Sequence, residues 1–151
     1  MKDIRRDLIA IGRIAVDEGL VMSSGGNISA RDGESMVIKK SGSPLDSKKK
    51  SDYVRVNIRT GEFNKNSCPS SEMFMHLACY KARPDVNAVL HLHPVFSTAA
   101  ANSKVRIGPV SYELAACLGT EIIRACYEPS GSKALAGEIR RKIKKANAVL
   151  M

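Results

Sequence analysis

With 151 residues, 44% of them apolar, the chain is long enough to close one domain around a real core and too short for two ordinary ones. No apolar run approaches the roughly 20 residues of a membrane span, and the four cysteines stand apart, with no Cys-x-x-Cys pair and no apolar targeting segment ahead of them, which reads as a reduced, cytoplasmic protein. The net charge of +9 raises the question of nucleic acid, but the basic runs Lys48–Lys50 and Arg140–Lys145 carry no interleaved aromatic residues, so they read as solvated faces or a positive field for a small anion.

Ile4, Leu8, Ile11 and Ala15 recur at helical spacing and predict an amphipathic opening helix that ends near Gly19. After the turn of Ser23-Ser24-Gly25-Gly26-Asn27, short strands are expected around Ile28–Arg31 and Met36–Lys39, joined by a hairpin turn at Asp32-Gly33. Ser41-Gly42-Ser43-Pro44 interrupts the pattern, and Tyr53, Val54, Val56 and Ile58 resume it as a strand closed by Arg59-Thr60-Gly61. Pro69 is placed to open a helix running to about Arg83, because its missing N–H costs nothing in a first turn, and Pro84 stops that helix. A strand bearing His91 and His93 comes next, followed by a short helix over Val95–Asn102 and another near Tyr112–Leu118. A strand over Glu121–Cys126, a basic helix capped by Ser132 and reaching about Lys145, and a strand beginning within Ala146–Met151 complete the chain. This alternation indicates a layered α/β sheet, with mixed or antiparallel strands because of the early hairpin.

The segment Val89-Leu90-His91-Leu92-His93 carries the strongest chemical signal. In a strand, residues i and i+2 share a face, so both imidazoles can converge on one ion while Leu92 points into the core. Glu72, one short helix upstream, could add an oxygen ligand, and three N/O ligands with an open position are what a catalytic divalent ion needs. An isolated His-x-His pair is more often structural. The ligand reading is favoured because the chain has only three histidines and places two of them together beside Pro94. The third, His76, lies four residues after Glu72 on the same helix face and is a weaker candidate for a ligand.

Three small polar segments form a second signal: Gly25-Gly26-Asn27, Ser41-Gly42-Ser43 and Ser70-Ser71. Each offers N–H groups or hydroxyls with little bulk, and the last precedes an expected helix, where partial positive charge collects. Singly they are ordinary turns and caps. Together they could hold a phosphate, and Glu72 directly after the serines would set phosphate and metal sites side by side.

In this order and spacing, Gly25-Gly26-Asn27-Ile28-Ser29, Ser41-Gly42, Pro69-Ser70-Ser71-Glu72 and His91-Leu92-His93-Pro94 resemble the class II aldolase/adducin family, most closely its L-fuculose-1-phosphate aldolase branch. The resemblance covers nearly the whole chain. It implies a layered α/β/α fold whose mixed, largely antiparallel central sheet is flanked by helices. It also implies one domain over residues 1–151 that lacks its C-terminal part, since the family's third histidine ligand would fall just beyond Met151.

The implied activity is reversible cleavage of a phosphorylated ketose to dihydroxyacetone phosphate and an aldehyde. Zinc or another divalent metal would be held by Glu72, His91 and His93, with Glu72 also moving the proton of the donor carbon. Gly26, Asn27, Ser41, Gly42, Ser70 and Ser71 match the family's phosphate-binding positions. Tyr112 aligns with a tyrosine thought to protonate the aldehyde-derived oxygen across a subunit interface, the other reading being a core or interface tyrosine. A homotetramer is implied, with neither nucleic acid nor membrane as partner. The same scaffold also serves pentulose-phosphate 4-epimerases, methylthioribulose-phosphate dehydratases and the non-catalytic adducin head, and these stay open as alternatives. One departure is Ser130, in Tyr127-Glu128-Pro129-Ser130-Gly131, where the fuculose aldolases tend to place an aromatic residue.

Overall fold

A computed structural model describes residues 3–22, 24–103, 107–108, 111–118 and 121–151; Ser23 of the expected turn lies outside them. The elements are α1 (Ile4–Asp17), β1 (Asn27–Asp32), β2 (Ser35–Lys39), β3 (Tyr53–Asn57), α2 (Met73–Ala82), β4 (Ala88–His91), α3 (Val95–Asn102), α4 (Tyr112–Leu118), β5 (Ile123–Arg124), α5 (Lys133–Lys142) and β6 (Val149–Leu150). The fold is α/β, with helices flanking a mostly antiparallel sheet.

Strands β1 to β4 form one antiparallel sheet in the order β3-β2-β1-β4, and β5 pairs with β6 in parallel. Side-chain alternation sorts the core onto the two faces of the larger sheet. Ile28, Ala30, Val37 and Tyr53 pack with Leu8 and Ala15 of α1 on one side, and Met36, Ile38, Val54 and Val56 pack with Met73, Leu77 and Tyr80 of α2 on the other. Behind α2, Met75 and Cys79 meet Leu135 and Ile139 of α5. Among the described residues no helix is long and apolar enough to cross a membrane.

Asp3 opens α1 by accepting from the Arg5 N–H at 3.2 Å. The buried stripe of α1 is Leu8, Gly12 and Ala15, whereas Ile11, expected inside, is 45% exposed. The helix presses its backbone on Leu45, where a Cβ on Gly12 would stand 2.2 Å from the carbonyl oxygen. This close approach and the core contacts of Leu8 and Ala15 together set the rotation of α1. In the β1–β2 hairpin Asp32 pairs with Ser35, so the turn is Gly33-Glu34, one residue later than expected. Gly33 takes a φ of +63°, the positive value that primed hairpin turns need.

The largest correction concerns Pro69. It does not start the helix but forms a lone antiparallel bridge with Lys40. Ser41 N–H donates to the Cys68 carbonyl, and Ser70 N–H donates to that of Lys39. Segment 68–70 thus lies along the end of β2, and α2 begins only at Met73. The strand expected over Glu121–Cys126 shortens to Ile123–Arg124, and Ile58 lies just past the end of β3. Helices α3 and α4 span the expected residues, and Ser132 caps α5 by accepting from the Leu135 N–H.

Candidate active site

The site forms where β1 begins, β2 ends and β4 ends. Asn27 pairs directly with His91 across β1 and β4. The chain enters β1 through Gly26, whose φ is +65° and where a Cβ would lie 2.7 Å from the His91 carbonyl oxygen, so only glycine fits. The bridge between Lys40 and Pro69 carries Ser70, Ser71 and Glu72 over to Ser41 and Gly42. All six expected phosphate-binding residues, Gly26, Asn27, Ser41, Gly42, Ser70 and Ser71, line one cavity of about 570 Å³ with Glu72, His91 and His93. Tyr112 does not join them; it stands 83% exposed at the start of α4.

His93 lies beyond the end of β4, so the two histidines do not share a strand face as expected. Its N–H is instead held by the Leu20 carbonyl at 3.1 Å, while Leu92 packs on the α1-side core. The rings nevertheless meet edge to face, with the two Nε2 atoms 2.7 Å apart. Burial above all, then His93, pushes the His91 pKa down to about 4 despite the opposing pull of Glu72, which favours the neutral imidazole.

Glu72 is buried. Its Oε1 accepts from the Ser130 hydroxyl at 2.5 Å and from the Gly131 N–H at 3.1 Å, while Oε2 has no hydrogen-bond partner among the described residues. A bare buried carboxylate oxygen is costly. A cation nearby would lessen that cost, so the cavity suits a divalent metal held by the two facing imidazole nitrogens, with the carboxylate beside it. No group of three His, Cys, Asp or Glu side chains is gathered into a metal cage among the described residues. The preformed part is the histidine pair.

His76 is no ligand. It is fully buried with both ring nitrogens engaged, Nε2 by Oδ1 of Asn27 and Nδ1 by Oγ of Ser29 at 2.7 Å. Burial, with a smaller effect of His91, pushes its pKa down to about 3, so the ring carries one proton. That proton sits on Nε2, because Oδ1 can only accept. The Ser29 hydroxyl therefore donates to Nδ1 and accepts from the Tyr80 hydroxyl at 2.7 Å. The chain of bonds fixes the Asn27 amide with its Nδ2 end left to donate into the cavity.

Two cavity residues escaped the sequence reading. Lys39, only 2% exposed, donates to the carbonyls of Lys40 and Ser43, and burial lowers its pKa. A lysine among strand residues that are otherwise buried was the available signal. Ser130 was noted for the aromatic side chain it lacks, and its bond to Glu72 has no local signature.

Residues 6–151 match the sequence pattern of the Class II Aldolase and Adducin N-terminal domain. The 5-methylthioribulose-1-phosphate/5-deoxyribulose-1-phosphate aldolase of Escherichia coli O45:K1 (strain S88 / ExPEC) is 39% identical over 134 residues, which cover 88% of this chain and 62% of that protein. The L-fuculose phosphate aldolase of Escherichia coli (strain K12) is 33% identical over 133 residues, covering 88% and 61%. Among solved structures, an L-fuculose 1-phosphate aldolase superposes with a TM-score of 0.89 at 32% identity, covering 99% of this chain and 71% of that one. The chain thus belongs to the class II aldolase and adducin N-terminal domain family. It spans about three fifths of the length of these curated relatives.

Proposed function

We propose that this domain carries the active-site residues of a metal-dependent aldolase that cleaves a phosphorylated ketose, of the fuculose-1-phosphate type, to dihydroxyacetone phosphate and an aldehyde. The observation that carries this reading is the convergence in one cavity of three small polar segments, a pair of facing imidazoles and a buried carboxylate with one unpartnered oxygen. The names of the relatives support it: one is a 5-methylthioribulose-1-phosphate/5-deoxyribulose-1-phosphate aldolase and the other an L-fuculose phosphate aldolase.

Asn27 Nδ2, the backbone of Gly26 and Gly42 and the hydroxyls of Ser41, Ser70 and Ser71 bind the phosphate, with the buried charge of Lys39 nearby. His91 and His93 hold the divalent ion, most simply zinc, with Glu72 next to it. When bound, the metal polarises the ketone and hydroxyl oxygens of the substrate. Glu72 takes a proton from the hydroxymethyl carbon beside the ketone in condensation and returns it in cleavage. Tyr112, exposed on α4, donates to the aldehyde-derived oxygen of a neighbouring subunit in a homotetramer. The roles of the cavity residues rest on the resemblance and on their common cavity, and that of Tyr112 rests on the resemblance alone.

The test is cleavage by the whole protein, loaded with zinc, of L-fuculose 1-phosphate and 5-deoxyribulose 1-phosphate, with released dihydroxyacetone phosphate measured by coupled reduction. The His91→Ala/His93→Ala double variant should lose both bound metal and cleavage. Equal metal content in wild type and double variant would contradict the assignment, as would absence of cleavage of either sugar phosphate.

A further inference from the structure

The loop from Tyr127 to Gly131 closes on the carboxylate that the proposed function uses as a base. Ser130 Oγ lies 2.5 Å and Gly131 N 3.1 Å from the same oxygen, Oε1 of Glu72. Gly131 has a φ of +70°, and a Cβ there would lie 3.0 Å from the Ser71 carbonyl oxygen. The loop therefore rests on the turn that leads into α2, and the Gly131 N–H reaches Glu72 because no side chain holds it off. Glu72 is 7% exposed, and its second oxygen, Oε2, is buried without a partner among the described residues. The carboxylate is thus asymmetric, with one oxygen bonded twice and the other bare. Ser130 itself is exposed, so its link to Glu72 is this bond and not core packing. A side chain without a hydroxyl or other donor could not make this bond.

We propose that Ser130 is a positioning residue: with the Gly131 N–H it ties down Oε1 of Glu72 and leaves Oε2 as the oxygen that takes the substrate proton. This rests on the function proposed above. In that step the C–H bond beside the ketone breaks, its proton goes to Oε2, and its electron pair stays on the substrate, spread onto the carbonyl oxygen. Ser130 exchanges no proton with the substrate. It holds the acceptor at the angle the transfer requires, where small misplacements are costly in rate.

The test uses the whole protein, zinc-loaded, with dihydroxyacetone phosphate in deuterated water and hydrogen exchange as the readout. Ser130→Ala should lower the saturating rate by about ten-fold or more and leave the half-saturating concentration unchanged, and Ser130→Thr, which keeps the hydroxyl, should recover most of the rate. A second measurement needs no metal: urea unfolding of wild type, Ser130→Ala, Glu72→Ala and the double variant should be non-additive. Additive unfolding, a wild-type rate for Ser130→Ala, or a Ser130→Thr variant no better than Ser130→Ala overturns the inference alone. A wild-type protein that shows no exchange overturns the proposed function and the inference with it.

Discussion

Asn27 and His91 face each other in register across β1 and β4, so the amide end of the proposed anion site and the first imidazole of the proposed metal site have a spacing set by the sheet ladder. His76 fixes that amide from behind through its Nε2 and is itself held by Ser29, whose hydroxyl is bonded in turn to that of Tyr80. Removing the imidazole would leave Asn27 Oδ1 buried without its partner, take from Ser29 one of its two hydrogen bonds, and open a cavity under the sheet.

His76→Ala should therefore destabilise the fold by about 2–4 kcal/mol, from a lost buried side chain and stranded polar groups. It should also weaken inorganic phosphate binding, which is measured by titration calorimetry on the folded variant. Unchanged stability and unchanged phosphate affinity would show that the network fixes nothing.

The same histidine makes stability depend on pH. Its imidazole, which ordinarily titrates near 6.5, is pushed down to about 3 in the fold, through burial first and His91 second. Between those values the unfolded chain binds more protons than the folded one, so stability is complete above pH 6.5 and declines as pH falls through that window. His91, lowered to about 4, adds a slope of the same sign. In chelator-treated protein the urea midpoint should fall between pH 7 and pH 4.5, and a His76→Gln variant should show a shallower decline. Equal slopes would contradict the assignment.

Gly12 offers a test of packing apart from the site. Gly12→Ala forces a Cβ to within 2.2 Å of the Leu45 carbonyl oxygen, a backbone atom that cannot turn aside. A loss of about 2–4 kcal/mol follows from displacement of α1. Gly19→Ala meets open space and pays only for its positive φ of 67°, about 1 kcal/mol. Thermal melts of the two variants should differ by several degrees, and equal melting points would mean that α1 yields more easily than its contact implies.

What the sequence made legible was local. The helices α3 and α4, and to within one residue the turn between β1 and β2, follow from neighbouring residues, and the three small polar segments could be recognised singly and grouped by the resemblance. The misses have tertiary causes. Ile11 yields its inward place to Gly12 because Leu45 comes too close for a side chain. Pro69 is drawn out of the helix by the end of β2. His93 leaves the strand because the Leu20 carbonyl holds its N–H, although the two rings still converge. The bond from Ser130 to Glu72 joins residues 58 apart in sequence, and periodicity cannot reveal such a contact.

Removal by Glu72 of a proton from a carbon beside a carbonyl can be followed without any aldehyde. Whole, zinc-loaded protein in deuterated water should exchange a hydroxymethyl hydrogen of dihydroxyacetone phosphate, followed by proton NMR. Glu72→Gln should slow that exchange by about 100-fold or more while phosphate binding is kept, because the amide preserves the shape but cannot take the proton. Exchange by Glu72→Gln at the wild-type rate would contradict the account.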